Sequence, residues 1–415
     1  MTRDEIGAWR RLGRKARSVA GSPCFVFSET AVRAALTTLQ RIQSTLPVRH
    51  WLSLKTQPIP RLLEAARKWG LGVEVVSEFE LIGALRSDAS PAQILVNGVG
   101  KQRWLRSHLL RDLTVHFDSV AEVRALASLA RELGWHVGLR CAVPRQGASA
   151  GAEEDWDQFG MARDEMRVAV KILEDAGVSV EGLHFHLRTN VEHASDYRRA
   201  LEFLCESSES VGLQPTYIDV GGGLPIPGER SLEGVSAAST FDFEEFQQAL
   251  CSIPSLFPGV DELWLENGRF LTAAAGALVV TVLDRKERGE NIYLICDGGR
   301  TNHARLASCE VHDIILEPRR GGIKRKTVVC GPTCGAVDRL GTWMLPESII
   351  PGDIVMWLNA GAYHIPLETR FSFGLAPVVW LDGNDEPEVI RERETPEQWW
   401  APWTSSRKMA DVACR

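Results

Sequence analysis

The sequence predicts an α/β protein in which a (β/α)8 barrel of the TIM type is followed by a β-rich sandwich or barrel domain. Its 415 residues are too many for one small core and suit two domains. Between about residues 30 and 275, helical patterns alternate with short apolar runs in about eight strand–helix units. Later runs are of β type and are separated by Gly and Pro turns. We therefore expect a barrel over residues 30–275 and a β-rich domain over 276–415, which also takes up the N-terminal segment 1–29.

The individual elements follow from the spacing of apolar residues. Val32, Leu36 and Leu39, for example, recur at helical intervals. The barrel strands are predicted at 50–54, 72–76, 93–96, 113–117, 136–141, 182–187, 215–220 and 262–266. The barrel helices are predicted at 31–45, 59–68, 78–87, 102–111, 120–133, 163–176, 194–211 and 243–252. In the β-rich domain the predicted strands are 277–283, 291–296, 326–330 and 353–358.

Composition limits the partners and the location that this chain can have. The net charge of −7 argues against a surface for nucleic acid or for anionic membranes. The longest apolar run, 273–283, is about half as long as a membrane span. Nine cysteines in no framework spacing are typical of free thiols in a reducing cytoplasm. We therefore expect a cytoplasmic protein that acts on a small molecule and contacts neither nucleic acid nor membrane.

Lys55 follows the first predicted barrel strand, at the end of the barrel where active sites form. Most lysines lie in solvent, so the structural interpretation is that Lys55 is a solvent-exposed residue at a strand end. A lysine backed by apolar walls can instead act as a nucleophile and form a Schiff base with a carbonyl compound. Glu74, in the second run, is placed to hydrogen-bond this lysine.

Two later strand ends carry histidines and glycines. His184 and His186 alternate within one run, so we expect them on one strand face. Such a pair can bind a metal, but the sequence suggests no third ligand and we expect no metal. An imidazole stacked on a flat cofactor ring is the simpler interpretation. The Gly221-Gly222-Gly223 segment suits a phosphate because its backbone is free to turn, although a triple glycine is more often only a tight turn.

The last barrel run ends in Glu266-Asn267-Gly268-Arg269. A buried carboxylate beside an arginine is usually a structural ion pair, but one aimed at a pyridine nitrogen keeps that ring protonated and able to accept electrons. In the β-rich domain, Tyr363 supplies a hydroxyl and is, on its own, a core or turn residue. Cys330 and Cys334 flank a Pro turn, and their spacing suits neither a zinc site nor a redox dithiol. The structural interpretation is that both cysteines are buried.

The order of these motifs along the chain is more specific than any one of them. After Lys55 come Glu-Val-Val-Ser, His-x-His, Gly-Gly-Gly, Glu-x-Gly-Arg, Gly-Pro-Thr-Cys and Gly-Ala-Tyr. In this order the chain resembles the fold-type III pyridoxal-phosphate decarboxylases, the diaminopimelate and ornithine/arginine decarboxylase family, whose barrel is of the alanine racemase type. The resemblance covers about residues 23–373. It implies pyridoxal 5′-phosphate as cofactor, an amino-acid substrate and a homodimer with shared active sites.

The resemblance also implies a role for each matching residue. Lys55 would bind the cofactor covalently, His186 would stack on its pyridine ring, and Glu266 would pair with the ring nitrogen. Cys334 would reach the active site of the neighbouring subunit and protonate Cα after carbon dioxide leaves. The remaining cofactor-binding residues would be Glu74, Thr189, Gly221, Gly222, Gly223, Gly268, Arg269 and Tyr363.

The chain departs from the family pattern where the family binds substrate. Gly335 stands where an acidic residue binds the distal ammonium of the substrate, and Cys309 stands where tyrosine is expected. Arg188 replaces a glycine of the phosphate segment. A buried charge without a partner costs roughly a few kcal/mol, so these changes favour an anionic or acylated amino acid over a basic one. The expected substrate-binding residues are Arg188, Arg269, Arg305, Cys334 and Gly335.

The expected function is therefore pyridoxal-phosphate-dependent removal of the α-carboxylate from an amino acid or a conjugated amino acid, including one carried on a carrier protein. The expected context is specialised biosynthesis of the siderophore or antibiotic type. A racemase or epimerase on the same fold is the first alternative. It needs a second base, commonly a tyrosine, and the chain has only four: Tyr197, Tyr217, Tyr293 and Tyr363. A non-catalytic regulatory homologue is the second alternative.

Overall fold

The computed structural model describes residues 2–144, 158–231, 234, 236–302 and 310–404. The chain divides into two compact units. The barrel unit comprises Ala35–Pro227 and Ala237–Thr272, and the β-rich unit comprises Met1–Ala34, Gly228–Ser236 and Ala273–Arg415. The predicted fold class is confirmed, because eight parallel strands close a barrel and a separate sheet includes the N-terminal strand.

The strands are numbered in chain order. They are β1 Cys24–Ser28, β2 Val48–Ser53, β3 Gly72–Val75, β4 Ile94–Val96, β5 Thr114–Phe117, β6 His136–Arg140, β7 Val180–His184, β8 Tyr217–Asp219, β9 Glu229–Ser231, β10 Glu262–Glu266, β11 Gly276–Arg288, β12 Asn291–Cys296, β13 Glu310–His312, β14 Ile314–Glu317, β15 Lys324–Cys330, β16 Arg339–Pro346, β17 Ile354–Trp357, β18 Val378–Leu381 and β19 Pro387–Arg391.

The helices are numbered in the same way. They are α1 Arg3–Ala20, α2 Glu29–Leu39, α3 Pro60–Lys68, α4 Glu78–Arg86, α5 Val120–Leu133, α6 Arg163–Asp175, α7 Ser195–Ser210, α8 Phe243–Cys251, α9 Ile253–Leu256, α10 Arg269–Thr272, α11 His364–Leu367 and α12 Pro396–Trp400. Among the described residues, no helix is both long and apolar enough to cross a membrane.

The barrel closes in the order β10-β2-β3-β4-β5-β6-β7-β8, and its strands are mostly buried. Burial of both faces of a parallel sheet explains why the strands appear in the sequence as continuous apolar runs. Inside the barrel, Trp51, Leu95, Tyr217 and Trp264 form a packed cluster. The rings of Tyr217 and Trp264 stack with their centroids 3.6 Å apart. All eight strands run in one direction, so their carboxyl ends meet at one rim.

One predicted barrel helix is wrong, and the N-terminal helix was not predicted. The segment 102–111 forms two short 3-10 turns instead of a helix, and Trp104 interrupts them with a φ of −129°. Lys101, at the start of the first turn, is fully buried and lies 2.7 Å from the carboxylate of Glu122. The backbone N–H of Lys101 also donates to Glu122, so both ends of this residue are tied to helix α5 where the segment begins. Helix α1 begins with a capping box formed by Thr2 and Glu5.

The β-rich unit contains a nine-stranded sheet whose main path is β16-β15-β12-β11-β1-β18-β19. Strand β1 pairs antiparallel with β11 and parallel with β18, so the N-terminal segment is built into the middle of this sheet. Leu12 and Ala16 of α1 pack into the core that the sheet forms. Strand β17 pairs with both β11 and β14.

Two glycines make room for the aromatic cluster of the barrel. A Cβ at Gly182 would overlap the ring of Tyr217, and a Cβ at Gly72 would overlap the indole of Trp51. We expect Gly182→Ala to lower the free energy of unfolding by at least about 1–3 kcal/mol, because the core has no space for the methyl group. Urea or thermal unfolding of the purified protein measures this change.

Gly83→Ala is the matched control, since Gly83 lies in α4 and a Cβ there would meet nothing within 4 Å. This substitution should stabilise the protein by roughly 0.5–1 kcal/mol through the better helix propensity of alanine. Equal stability of the two variants would contradict the packing that we describe for the barrel interior.

Candidate active site

Lys55 and Glu74 meet at the carboxyl rim of the barrel. Lys55 lies in the 3-10 turn that follows β2, and its Nζ is 3.6 Å from Oε1 of Glu74 near the end of β3. Glu74 is buried and its other oxygen accepts a hydrogen bond from the hydroxyl of Ser53. The lysine side chain is 39% exposed, so its amine is held at one side by a buried carboxylate while it remains accessible.

Glu266 ends β10 and is buried among polar groups from several strands. Its Oε1 accepts a hydrogen bond from Nδ2 of Asn97, and Nε2 of His184 lies 3.5 Å from the same oxygen. Burial, followed by the nearby carboxylates of Asp219 and Glu74, raises the pKa of Glu266 well above its usual range. A cation placed against this carboxyl group would favour its charged form, as a protonated ring nitrogen does.

A second layer of polar side chains lies inside the barrel beside Glu266. The rings of His116 and His184 stack with centroids 5.0 Å apart, and Nε2 of His116 lies 2.9 Å from the hydroxyl of Tyr217. Burial lowers the pKa of both histidines, so both rings are neutral. Ligand atoms of His116, His184 and Glu266 lie within 4.8 Å of one another. This group contains His184 but not His186, so its members are not the pair that the sequence suggested, and His116 was not expected there.

His186 does not share a regular strand face with His184. Strand β7 ends at His184, so the alternation expected from the sequence does not extend to His186. Nδ1 of His186 instead accepts a hydrogen bond from the N–H of Gly222 at 3.2 Å. Burial, and then the charge of Lys55, lower the pKa of His186 to about 3, which leaves a neutral ring.

The three glycines after β8 form a tight turn that accommodates no side chain. Gly221 and Gly223 have φ values of 68° and 99°, and a Cβ at Gly222 would overlap the carbonyl oxygen of Glu266. The N–H of Gly221 is engaged by Asp219 at 2.8 Å. Within the described residues the N–H of Gly223 makes no hydrogen bond, so it is available to an anion.

Two further residues of the predicted phosphate site lie together in the barrel unit. Nε of Arg269, at the start of α10, donates to Oγ1 of Thr189 at 2.8 Å. Gly268 packs so closely on Thr56 that a Cβ would overlap its methyl group. Arg188 is partly engaged elsewhere, because its Nη2 lies 4.0 Å from Oδ2 of Asp196.

The predicted site residues of the β-rich unit lie on turns. Cys334 is exposed in the segment after β15, and Tyr363 adopts a left-handed φ of 65° just before α11. Asp338 stabilises the turn that carries Cys334, because its carboxylate accepts the backbone N–H of Thr333 at 2.9 Å and that of Arg300 at 2.8 Å. Arg305, and Cys309 with it, lie outside the described residues.

Several polar residues of the barrel rim were missed by the sequence reasoning. Asn97 directly follows β4, Arg140 ends β6 and Asp219 ends β8. Arg140 lies 3.6 Å from the carboxylate of Asp118, and its charge lowers the pKa of Glu266 and of His186. The rule that strand ends face the active site, applied to every predicted run, would have found these residues. His116 lies inside β5 and gives no such signal.

Residues 32–273 match the protein family described as "Pyridoxal-dependent decarboxylase, pyridoxal binding domain". The lysine/ornithine decarboxylase of Selenomonas ruminantium is 30% identical over 346 residues, which are 81% of this chain and 84% of that protein. The L-glutamyl-[BtrI acyl-carrier protein] decarboxylase of Niallia circulans is 26% identical over 384 residues, which are 86% of this chain and 88% of that protein.

The fold is also that of solved structures. The crystal structure of a diaminopimelate decarboxylase from M. jannaschii in complex with L-lysine superposes with a TM-score of 0.79. The alignment covers 94% of this chain and 93% of that chain at 22% sequence identity. At this identity the likeness supports the fold and carries no argument about substrate.

The barrel residues fit pyridoxal phosphate. Lys55 offers an accessible amine for a covalent bond, and the glycine turn with Arg269 offers an N–H and a cation for a phosphate. Glu266 presents a buried carboxyl group of the kind that pairs with a pyridine nitrogen. Within the described residues, Oδ1 of Asn97 and both ring nitrogens of His184 make no hydrogen bond. These buried atoms could therefore hydrogen-bond a polar group of a bound cofactor.

Lys55→Ala should remove the absorbance band near about 420 nm that lysine-bound pyridoxal phosphate gives, because no other group would form the covalent bond. Lys68→Ala, which alters an exposed lysine at the end of α3, is the control and should retain the band. Spectra of both proteins after reconstitution with the cofactor measure the effect. A band that survives in Lys55→Ala would show that another amine binds the cofactor.

Proposed function

The chain belongs to the pyridoxal-dependent decarboxylase family, and from this premise we propose that it decarboxylates an anionic or acylated amino acid, conjugated to another group or carried on a carrier protein. Pyridoxal-phosphate-dependent decarboxylation of an amino acid is the activity of the family. The proposal concerns the substrate and its place in a specialised biosynthetic route.

The observation that carries this proposal is Gly335 and its surroundings. Gly335 lines a cavity of about 260 Å³ in the β-rich unit together with Val337, Phe371 and the residues around Asp338. Among the described residues that line the cavity, Asp338 has the one carboxylate, and both of its oxygens already accept backbone N–H groups. A distal ammonium group placed in this cavity would meet the cationic Arg300, threonines and apolar side chains, and its one acid, Asp338, is already held by two backbone N–H groups. This supports a substrate whose distal part is uncharged or anionic.

One relative supports the same direction, whereas others of similar identity are named diaminopimelate decarboxylases. The Niallia circulans protein is, by its name, a decarboxylase of a glutamyl group attached to an acyl carrier protein. A carrier-bound glutamyl group has an acylated end and lacks a distal ammonium, which suits a cavity without an acid. The lysine/ornithine decarboxylase of Selenomonas ruminantium makes free basic amino acids the competing substrate class.

In the proposed mechanism the residues of the chain bind, orient and deliver protons. When bound, pyridoxal phosphate supplies a protonated ring that takes up the electron pair released as the bond between Cα and the carboxylate breaks. Lys55 would hold the cofactor through its accessible amine. Glu266 would pair with the ring nitrogen and favour its protonated form, and neutral His186 would lie against the ring. The thiol of Cys334, contributed by the second subunit of a homodimer, protonates Cα after carbon dioxide leaves.

Racemisation on the same fold finds less support. A second base would have to be accessible, yet Tyr197 is buried and its hydroxyl donates to the carbonyl oxygen of Gly222 at 2.7 Å. Tyr217 is buried in the barrel, where loss of hydration raises its pKa well above the usual range. Neither hydroxyl can easily give up a proton. A carboxylate at the position of Glu266 also favours decarboxylation because it keeps the ring protonated.

The substrate class is tested by measuring carbon dioxide release with free basic, free acidic and conjugated amino acids. We expect kcat/KM for a glutamyl conjugate to exceed that for ornithine or meso-diaminopimelate by about 100-fold or more, since an unpartnered buried ammonium costs roughly 3 kcal/mol. Strong activity on ornithine or meso-diaminopimelate would contradict the proposal.

A substitution at Gly335 sharpens this comparison. A Cβ at Gly335 would lie 3.4 Å from Oγ1 of Thr333, an ordinary contact, so the turn accepts a side chain. Gly335→Asp should raise activity on ornithine relative to the conjugate, because it supplies the missing carboxylate. Gly335→Asn is the matched neutral control and should not.

Cys334→Ala should bind the cofactor normally and lose turnover by about 100-fold or more, because general acid catalysis by one side chain contributes roughly 10²–10⁴ in rate. Cys251→Ala, which alters another exposed cysteine, is the control. Absorbance measures cofactor binding and carbon dioxide release measures turnover. Unchanged turnover in Cys334→Ala would exclude this thiol as the proton donor.

A further inference from the structure

Two buried polar residues lie against one oxygen of the Glu266 carboxyl group. Nδ2 of Asn97 donates to Oε1 of Glu266, and Nε2 of His184 lies 3.5 Å from the same oxygen. The exposed fractions of Asn97 and His184 are 3% and 1%. They approach from β4 and β7, two strands that are not neighbours of β10 in the barrel.

We propose that Asn97 and His184 are positioning residues for Glu266, which fix its Oε1 oxygen and support its negative charge toward the ring nitrogen of pyridoxal phosphate. Neither residue contacts the reacting atoms in this proposal. The inference rests on the proposed role of Glu266 and is independent of the proposed substrate.

The surroundings of Glu266 explain why such support is needed. Asp219 on β8, which is hydrogen-bonded to Glu266, and Glu74 on β3 disfavour the ionised form of Glu266, as burial does. Lys55, in the turn after β2, and Arg140, at the end of β6, oppose this effect. Hydrogen bonds that a carboxylate accepts favour its charged form, and they are roughly twice as strong as bonds between neutral groups.

The chemical nature of the two residues suits this task. An amide cannot carry a charge, and burial keeps His184 neutral beside the stacked ring of His116. A lysine or arginine at either position would neutralise Glu266 and compete with the protonated ring nitrogen. Within the described residues, the hydrogen bond to Glu266 is the one that the Asn97 side chain makes, and its Oδ1 has no partner. Asn97 is thus buried at a cost that no other contact offsets.

The protonation state of the ring nitrogen tests the proposal directly. Each holoenzyme is loaded with pyridoxal phosphate labelled with ¹⁵N in the ring, and the ¹⁵N chemical shift is followed as a function of pH. Asn97→Ala and His184→Phe should each lower the pH at which the ring nitrogen loses its proton by about one unit, a ten-fold change in the protonation equilibrium. Asn97→Ser retains a donor and should lie between Asn97→Ala and the unmodified protein.

Asn267→Ala provides a matched control. Asn267 is buried directly after Glu266 in the chain, but its Nδ2 lies 3.1 Å from Nδ1 of His50 and does not contact Glu266. The Asn267→Ala substitution should lower stability but leave the pH at which the ring nitrogen loses its proton unchanged. Thermal unfolding and cofactor titration establish that each variant is folded and loaded. If Asn97→Ala does not retain the cofactor, Asn97→Ser and His184→Phe decide the matter.

The outcomes separate this inference from the assignment on which it rests. A ring nitrogen that is unprotonated in the unmodified holoenzyme would refute the role of Glu266 itself. A protonated ring nitrogen whose titration in the Asn97 and His184 variants coincides with that of Asn267→Ala would overturn the positioning role while leaving Glu266 in place. A lowered midpoint in these variants alone supports it.

Discussion

The burial of the Glu266 carboxyl group at the carboxyl rim of the barrel is the constraint on which the site depends. An ionised carboxylate in such a position is unfavourable unless hydrogen bonds and an opposite charge accompany it. The barrel supplies a neutral donor to one oxygen through Asn97, and the neutral ring of His184 lies 3.5 Å from the same oxygen. It also supplies space at the rim beside the accessible amine of Lys55. A cationic ring against Glu266 would supply that opposite charge, in line with the proposed binding of pyridoxal phosphate.

The glycine turn after β8 serves the same constraint from the backbone. Because a Cβ at Gly222 would overlap the carbonyl oxygen of Glu266, the turn and the end of β10 pack against each other without side chains. The N–H of Gly221 binds Asp219 and that of Gly222 binds His186, so two of the three glycines fix neighbouring site residues. Within the described residues, the N–H of Gly223 is then the one left for an anion.

Much of this could be predicted from the sequence, and the exceptions have physical reasons. The parallel barrel is visible because strands buried on both faces form continuous apolar runs, and Lys55, Glu74 and Glu266 stand at or near the ends of such runs. Asn97 and Glu266 are 169 residues apart, and no local spacing records their hydrogen bond. The helix predicted at 102–111 is wrong for the same reason. Lys101, just before this segment, pairs with Glu122, which lies in another helix. Gly335 is informative only by comparison with the family pattern, because a glycine on a turn has no signal of its own.

The central claim is that Lys55, beside Glu74, is the residue that binds pyridoxal phosphate. Its most direct test is borohydride reduction of the reconstituted protein, which makes the lysine–cofactor bond permanent, followed by proteolysis and mass spectrometry of the labelled peptide. The account predicts the pyridoxyl label on Lys55 in stoichiometric amount. A label on another lysine, such as the buried Lys101, or the absence of any stable label, would contradict it.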